Sequence, residues 1–272
     1  MRNLKDKVII VTGASSGIGQ ALAREAMQQG MRVVLAARRT EPMQQMAQEL
    51  SWPADRYLIV KADVSEENDC RQLVEEAINT FGQIDVLINN AGISMRALFS
   101  DLDLDVIRKL MEVNFWGTVY TTWHALPHLL KSRGSVTGVS SIAGFRGLPG
   151  RTGYSASKFA MHGFLEALRT ENLHKGLHVL VACPGFTASN IRKTALAADG
   201  SAQGESPRDE GSMMSAQQVA QHILRAVDKR KRTLILTRQG KLTVWLNKLF
   251  PALTDRLVYN HMAKEPDAPF GK

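Results

Sequence analysis

Two side chains four residues apart, Tyr154 and Lys158, have the types and the spacing that proton transfer requires. They stand at the start of a helical pattern, and residues four apart on a helix share one face. A phenol has an ordinary pKa of about 10 and is a poor base at neutral pH. An ammonium about 4 Å away would favour the phenolate by about 4 kcal/mol at an effective dielectric constant of about 20. The pair therefore predicts a tyrosine whose pKa is lowered by the lysine. The decrease is at most about three pKa units, because burial of the phenolate opposes it.

A glycine-rich turn near the amino end has the composition of a phosphate-binding loop. It follows an apolar run and precedes a helical pattern from Gln20 to Gln29. Glycines allow positive φ and close backbone approach, and the amides at the start of a helix attract a pyrophosphate. The alternative is a tight turn that binds nothing. The candidate cofactor-binding residues are Gly13, Ser15, Ser16, Gly17, Ile18 and Gly19, and their glycine spacing differs from G-x-G-x-x-G.

The residues after the second apolar run bear on the choice of nucleotide. Many nicotinamide sites place an acidic residue about 20 positions after the glycine turn to bind the ribose 2′-hydroxyl. No acid occurs between Ala26 and Thr40, whereas Arg38 and Arg39 do. Guanidinium groups match the geometry of phosphate. The pattern favours NADP(H) over NAD(H), with Arg38 as the phosphate ligand; the alternative is that both arginines are solvated surface residues.

The elements that would position these groups follow from seven short apolar runs separated by longer helical patterns. The runs begin at residues 8, 33, 57, 85, 135, 178 and 233. They are apolar throughout rather than alternating, which is typical of strands covered on both faces, and the helices between them would supply right-handed crossovers. The sequence predicts an α/β fold, a doubly wound Rossmann-type sheet of seven parallel strands with helices on both faces.

No linker separates the predicted strands into two sets, so residues 1–272 are interpreted as a single NAD(P)-binding domain. Residues 190–215 are small, polar and glycine-dotted, and predict a loop near the substrate that is either a lid or a disordered insert. Residues 238–262 carry an apolar stripe at helical spacing, interrupted by Pro251, and predict a helical extension. That extension could cap the pocket, pair subunits or make weak peripheral contact with a membrane.

Composition narrows the partners further. The chain of 272 residues has 34 Lys and Arg against 26 Asp and Glu, a net charge of +8, which suits an anionic cofactor, nucleic acid or a membrane surface. No nucleic-acid partner is predicted, because no helix-turn-helix, zinc-finger or aromatic RNA-binding signature occurs. His124 and His128 have no third ligand nearby in the sequence, so no metal site is predicted. The two cysteines form no pattern and no secretory signal is found, so we expect a cytoplasmic protein.

Taken jointly, the motifs resemble the short-chain dehydrogenase/reductase family in its single-domain branch, and those around Tyr154 resemble hydroxysteroid dehydrogenases. The motifs are TGASSGIG at 12–19, NNAG at 89–92, Asn114, Ser141, the Y-x-x-x-K step at 154–158 and Pro184-Gly185.

The resemblance implies a role for each matching residue. Tyr154 would be the general acid in reduction and the base in oxidation, and Ser141 would hydrogen-bond the same substrate oxygen. Lys158 would bind the nicotinamide ribose as well as lower the pKa of the tyrosine, and Asn114 would hold a water molecule in a proton relay. Further cofactor contacts would come from Asp63 and Val64 to the adenine, from Asn90 along the cleft and from Thr187 to the carboxamide.

We therefore expect an oxidoreductase that moves a hydride between NADP(H) and a carbonyl or secondary alcohol. NAD(H) is the less favoured cofactor. It is kept as the alternative because Ser16 stands where many NADP-using relatives carry lysine or arginine. An apolar substrate is expected, with Ile93, Met95, Phe145, Leu148 and Phe186 lining its pocket. The alternatives are a non-catalytic NADP-binding redox sensor and a sugar-nucleotide epimerase or dehydratase. The family commonly pairs through two long helices, here about 105–131 and 152–174, so a homodimer or homotetramer is expected.

Overall fold

A computed structural model of the chain describes residues 4–185, 187, 191–205, 213–266 and 268–270. Seven strands form one sheet in the order β3-β2-β1-β4-β5-β6-β7, and every neighbouring pair is parallel. The strands are β1 (Val8–Thr12), β2 (Arg32–Ala37), β3 (Tyr57–Lys61), β4 (Val86–Asn89), β5 (Ser135–Val139), β6 (His178–Cys183) and β7 (Thr233–Ile235). The predicted seven-stranded doubly wound sheet is confirmed.

Helices cover both faces of this sheet. They are α1 (Gly17–Gln28), α2 (Glu41–Glu49), α3 (Glu67–Phe81), α4 (Leu104–Leu110), α5 (Gly117–Ser132), α6 (Thr152–Glu171), α7 (Ala216–Asp228), α8 (Arg238–Leu249) and α9 (Pro251–Met262). Alternate residues of β1 serve the two faces: Ile9 packs in the cluster with α1, α2 and α7, and Ile10 in the cluster with α3, α5 and α6. Both side chains are fully buried, which explains why the strands read as continuous apolar runs.

The strand order reverses at β1, which pairs with β2 on one side and with β4 on the other. Ligands bind at the carboxyl ends of the strands where such a reversal opens a crevice. Here the turn after β1 and the loop after β4 are fastened together, because the backbone amides of Asn90 and Ala91 both donate to Thr12 Oγ1 at 3.0 Å. The Asn90 side-chain amide also donates to the Thr12 carbonyl at 2.8 Å. These hydrogen bonds hold the two loops at the base of the crevice in place.

Part of the 190–215 insert differs from the loose loop that its composition predicts. The Leu196 amide donates to the Ser94 carbonyl and the Arg96 amide to the Leu196 carbonyl, both at 2.8 Å, and the Leu196 side chain is 7% exposed. The difference arises because pairing with a distant loop satisfies this backbone, and composition does not reveal such pairing. Residues 190 and 206–212 lie outside the described residues, so the choice between lid and disordered insert stays open.

Residues 238–262 form the two helices α8 and α9, and Pro251 begins α9. The chain beyond α9 folds back onto the body of the protein. Glu265 is buried and its carboxylate pairs with Arg151 at 3.0 Å and with Arg96 at 3.7 Å. These ion pairs tie the end of the extension to the loops after β4 and before α6.

Candidate active site

A cleft of about 700 Å³ lies at the carboxyl ends of the strands, where the order reverses. It brings together thirteen of the predicted site residues, namely Gly13, Ser15, Ser16, Gly17, Ile18, Arg38, Asp63, Val64, Asn90, Ser141, Tyr154, Lys158 and Thr187. The remaining two, Gly19 and Asn114, are buried and lie behind the cleft wall.

The glycine turn has the backbone that a dinucleotide phosphate needs. Gly13 and Gly17 have φ of 66° and 57°, a region that residues with a Cβ rarely adopt. A Cβ on Gly19 would lie 2.2 Å from the Gly13 carbonyl oxygen and 2.5 Å from Asn90 Nδ2, so glycine alone lets α1 approach the turn this closely. Ser15 to Ile18 line the cleft at the amino end of α1, where exposed amides favour an anion. These residues fit a dinucleotide.

Arg38 and Arg39 follow β2 and both line the cleft. Arg38 Nη1 lies 3.8 Å from Asp63 Oδ2, and the Arg38 side chain is 65% exposed. An ion pair this exposed contributes little to stability. Asp63 is held independently, since its Oδ1 accepts from the Ser65 amide at 3.1 Å and from the Ser65 hydroxyl at 2.7 Å. The Arg38 guanidinium is therefore a cation that can turn toward a phosphate at small cost.

Three of the predicted catalytic side chains meet at one point of the cleft. The Ser141 hydroxyl lies beside the Tyr154 phenol, where it acts to lower the phenol's pKa, and it accepts a hydrogen bond from the Ala143 amide at 3.1 Å. Lys158 is buried, donates from Nζ to the Val139 carbonyl at 3.1 Å, and lies 5.8 Å from the centroid of the Tyr154 ring. Strand β5 and helix α6 together position this group.

The pKa of Tyr154 departs from the expectation that Lys158 lowers it. Burial raises the pKa of the phenol above its ordinary value of 10, and the neighbouring Ser141 hydroxyl only partly opposes this. Burial also lowers the pKa of Lys158 to about 8. The expected direction for Tyr154 is wrong because desolvation is the largest influence on the phenol, while the Lys158 ammonium donates to the Val139 carbonyl.

Asn114 lies in a single π-helical turn, Met111–Trp116, that joins α4 to α5. Its Oδ1 accepts from the Ile93 amide at 2.9 Å, and its Nδ2 donates to the Ile93 carbonyl at 3.0 Å and to Ser157 Oγ at 2.9 Å. A Cβ on Gly92 would lie 3.0 Å from Asn114 Oδ1 and 3.5 Å from Lys158 Nζ. Gly92 therefore allows the asparagine and the lysine to approach the same stretch of backbone; the water-holding role of Asn114 stays a prediction.

A second cavity of about 290 Å³ runs from Ser141 to the pair α8 and α9. Its apolar lining comprises Ile142, Leu148, Leu242, Leu246, Leu257, Val258 and Met262. Ser141 and Gly185 line both this cavity and the cofactor cleft, so the two spaces meet at Ser141. This apolar cavity is named the substrate cavity below.

The residues expected to line an apolar pocket lie in different parts of the structure. Leu148 lines the substrate cavity and Ile93 lines the cofactor cleft. Met95 is fully buried in a core cluster, and the Phe145 ring packs edge-on against His162 at 4.6 Å between centroids. Phe186 lies outside the described residues. The expectation is wrong for Met95 and Phe145, because an apolar residue beside a site can pack in the core as readily as line the pocket.

Sequence reasoning missed two residues near the site, Arg192 and His162. Arg192 lines the cleft, donates to the Thr187 carbonyl at 2.7 Å, and its charge acts to lower the pKa of Tyr154. His162 Nε2 lies 2.7 Å from Ser140 Oγ, and burial lowers the His162 pKa to about 4. The one available signal for His162 was its place four residues after Lys158 on the same helix face; Arg192 lies in a segment whose composition predicts no fixed position.

Comparison with known proteins places this site in a family. The sequence profile described as short chain dehydrogenase matches residues 7–200. The mouse dehydrogenase/reductase SDR family member 7B is 34% identical over 268 residues, covering 96% of this chain and 83% of that protein. The 11-beta-hydroxysteroid dehydrogenase A of Arachis hypogaea is 37% identical over 273 residues, covering 94% and 76%. The chain belongs to the short-chain dehydrogenase/reductase family, whose members are oxidoreductases that bind nicotinamide cofactors.

Two solved structures resemble the fold. A short-chain dehydrogenase/reductase of Burkholderia phymatum in complex with NAD superposes with a TM-score of 0.82 at 22% identity, covering 93% of this chain and 96% of that one. An alcohol dehydrogenase of Thermococcus sibiricus complexed with 5-hydroxy-NADP gives a TM-score of 0.74 at 24% identity, covering 85% and 95%. At these identities the likeness concerns the fold. The resemblance to this family and to its hydroxysteroid dehydrogenases is confirmed.

Proposed function

We propose that the protein is an NADP(H)-dependent oxidoreductase that interconverts a carbonyl group and a secondary alcohol on an apolar substrate. The observation that carries the proposal is the position of Ser141. Its hydroxyl lies beside the Tyr154 phenol at the place where a cleft that fits a dinucleotide meets the apolar substrate cavity. A substrate oxygen at that place would reach both hydroxyls.

The bound nicotinamide would supply or accept the hydride. Tyr154 would donate its proton to the substrate oxygen in reduction, and its raised pKa keeps it protonated, as an acid must be, at neutral pH. Ser141 would donate a second hydrogen bond to the same oxygen and stabilise its developing charge. Lys158, with a pKa of about 8, is mostly charged at neutral pH and would hold the ribose hydroxyls. Asn114 would hold the relay water that returns a proton to Tyr154.

A turnover panel tests this function. Purified protein would be mixed with NADPH and a series of ketones, aldehydes and quinones of increasing apolar size, and oxidation of NADPH would be followed. We expect turnover that rises with the apolar size of the ketone. Tight NADPH binding without turnover on any member of the panel would instead indicate the redox sensor.

The cofactor preference is tested by Arg38→Ala, with Arg39→Ala as the matched control. Loss of a charge-assisted bond to a phosphate costs about 1.5–3 kcal/mol, so we expect Kd for NADPH to rise about 10-fold to 100-fold in Arg38→Ala while Kd for NADH stays unchanged. Both side chains are exposed, so neither change should disturb folding. Quenching of intrinsic fluorescence by each nucleotide provides the measurement. A larger effect at Arg39, or equal losses for NADPH and NADH, would contradict the assignment.

The apolar substrate is tested by narrowing the substrate cavity with Leu246→Trp. Leu246 lines that cavity from α8 and is half-buried, so a larger ring takes up space in the cavity rather than in the core. We expect KM for bulky ketones to rise at least about 10-fold and KM for the smallest ketone of the panel to stay the same. Leu249→Trp makes the same change on α8 at a residue that is 54% exposed. Steady-state kinetics that show equal effects for the two variants would refute this use of the cavity.

We also propose that the protein forms a homodimer through α5 and α6. Both helices expose large rings, with Trp123 70% and Phe159 46% accessible, and a two-fold interface buries the same surface of each copy. Sedimentation equilibrium of Trp123→Glu should give a lower mass than wild type. A cytoplasmic location stays a prediction from the sequence.

A further inference from the structure

The helices α8 and α9 expose a large apolar surface that the fold itself does not use. Leu242, Trp245, Leu249, Phe250, Leu253 and Leu257 are between 47% and 55% exposed. Leu242, Trp245 and Leu249 are spaced by three and four residues, so they lie on one side of α8. Contiguous exposed apolar patches mark places where proteins meet other molecules. These six residues are called the C-terminal apolar surface.

The charges beside this surface have one dominant sign. Helices α8 and α9 together carry Arg238, Lys241, Lys248 and Arg256 against one carboxylate, Asp255, and that carboxylate is paired with Arg146. All four cations are exposed. Lys241 and Lys248 are seven residues apart and therefore lie on the same side of α8, at the edge of its apolar stripe. An apolar face bordered by cations is the pattern of a helix that lies in the surface of an anionic bilayer.

The same pattern argues against a second copy as the occupant. A two-fold interface places one patch against its own image, so it would bring the four cations of each copy toward those of the other. An anionic lipid surface offers the opposite charge to all four at once. Among the described residues, none of the helices is long and apolar enough to cross a membrane.

The substrate cavity opens onto this surface. Leu242 and Leu257 line the cavity and are also 55% and 47% exposed, so they form its mouth. An apolar molecule dissolved in a bilayer under the C-terminal apolar surface would pass between them to Ser141 without crossing water. We propose that α8 and α9 dock the protein on anionic membranes and that the substrate cavity takes an apolar, membrane-dissolved ketone or alcohol from the lipid. The delivery step rests on the proposed function, whereas the docking does not.

Vesicle flotation of the full-length protein tests the docking. Probes are phosphatidylcholine vesicles with and without phosphatidylglycerol, and the variants are Trp245→Glu/Leu249→Glu and Lys241→Glu/Lys248→Glu. Each cation near an anionic membrane contributes about fivefold in affinity, so we expect wild type to float with the anionic vesicles and the double lysine variant to bind at least about 20-fold more weakly. The matched control, Lys229→Glu/Lys231→Glu, makes the same change of charge at exposed residues between α7 and β7, outside both helices, and should float like wild type.

Turnover of a small water-soluble ketone serves as the readout of folding, because none of the four substituted residues on α8 lines the cofactor cleft or the substrate cavity. Wild type that does not float, or a double lysine variant that floats equally well, overturns the docking. A drop in mass of Trp245→Glu/Leu249→Glu in sedimentation equilibrium would also overturn it, by showing that a second copy covers the surface. If docking holds but anionic vesicles do not accelerate turnover of a bulky ketone supplied in the lipid, the delivery step is wrong. If no ketone is turned over at all, the proposed function fails while docking stands.

Discussion

Replacing Tyr154 with phenylalanine is expected to lower kcat by about 10²-fold to 10⁴-fold, the usual contribution of a positioned general acid. The phenol lies beside Ser141 in the cleft and could pass a proton to an oxygen where the cleft and the substrate cavity meet. Phenylalanine keeps the ring and its packing, so the affinity for NADPH should change less than about threefold. The split between a lost kcat and a retained Kd separates chemistry from binding.

The control for this substitution is Tyr120→Phe. Tyr120 stacks on Trp116 with 5.4 Å between ring centroids, lies on α5, and lines neither the cleft nor the substrate cavity. Single-turnover kinetics with saturating NADPH would be compared for the two variants and wild type. A Tyr154→Phe protein that retains more than about a tenth of wild-type kcat would show that another group supplies the proton.

Lys158→Met is expected to abolish most activity and at the same time to stabilise the fold. Burial lowers the pKa of Lys158 from 10.5 to about 8, and a difference of one in pKa is worth about 1.4 kcal/mol, so the buried ammonium costs about 3 kcal/mol at pH 7. Methionine has a similar length and no charge. It loses the bond to the Val139 carbonyl, worth about 1 kcal/mol. The net expectation is a free energy of unfolding about 2 kcal/mol higher than that of wild type at pH 7.

The pH dependence of that gain follows from linkage. Between pH 8 and about 10.5 the unfolded lysine holds its proton and the folded one has released it, so the stability of wild type rises with pH in this window. Lys158→Met lacks the group, and its advantage should be constant below pH 8 and shrink above it. Urea unfolding at several pH values measures this, with the exposed Lys175→Met as a control that should gain nothing. An advantage that grows above pH 8, or a destabilised Lys158→Met at pH 7, would show that burial does not lower the pKa of Lys158.

Much of the fold and of the cofactor cleft could be predicted because the signals are local. A strand covered on both faces must be apolar along its length, and the glycine turn, Arg38 and the step from Tyr154 to Lys158 depend on residues close together in sequence. The seven strands and the grouping of these side chains in one cleft follow from them.

The features that sequence reasoning missed depend on contacts between distant residues. The pKa direction of Tyr154 depends on how much of the chain surrounds the phenol, a quantity that spacing does not contain. The pairing of Leu196 with the loop after β4 and the ion pairs of Glu265 join segments far apart in the chain. The substrate cavity forms where α8 and α9 pack over Ser141. The sequence predicts the apolar stripe of these helices but not the residues that the stripe packs against.

The reaction proposed for this site moves a hydride onto a carbonyl carbon with Tyr154 as the proton donor. NADPH carrying deuterium at both positions of the nicotinamide C4 would be incubated with wild type and the best ketone of the panel, and the product examined by mass spectrometry. We expect one deuterium on the carbinol carbon with wild type and almost none with Tyr154→Phe in the same time. Tight binding of NADPH with no deuterium in any product from any carbonyl of the panel would contradict the claim.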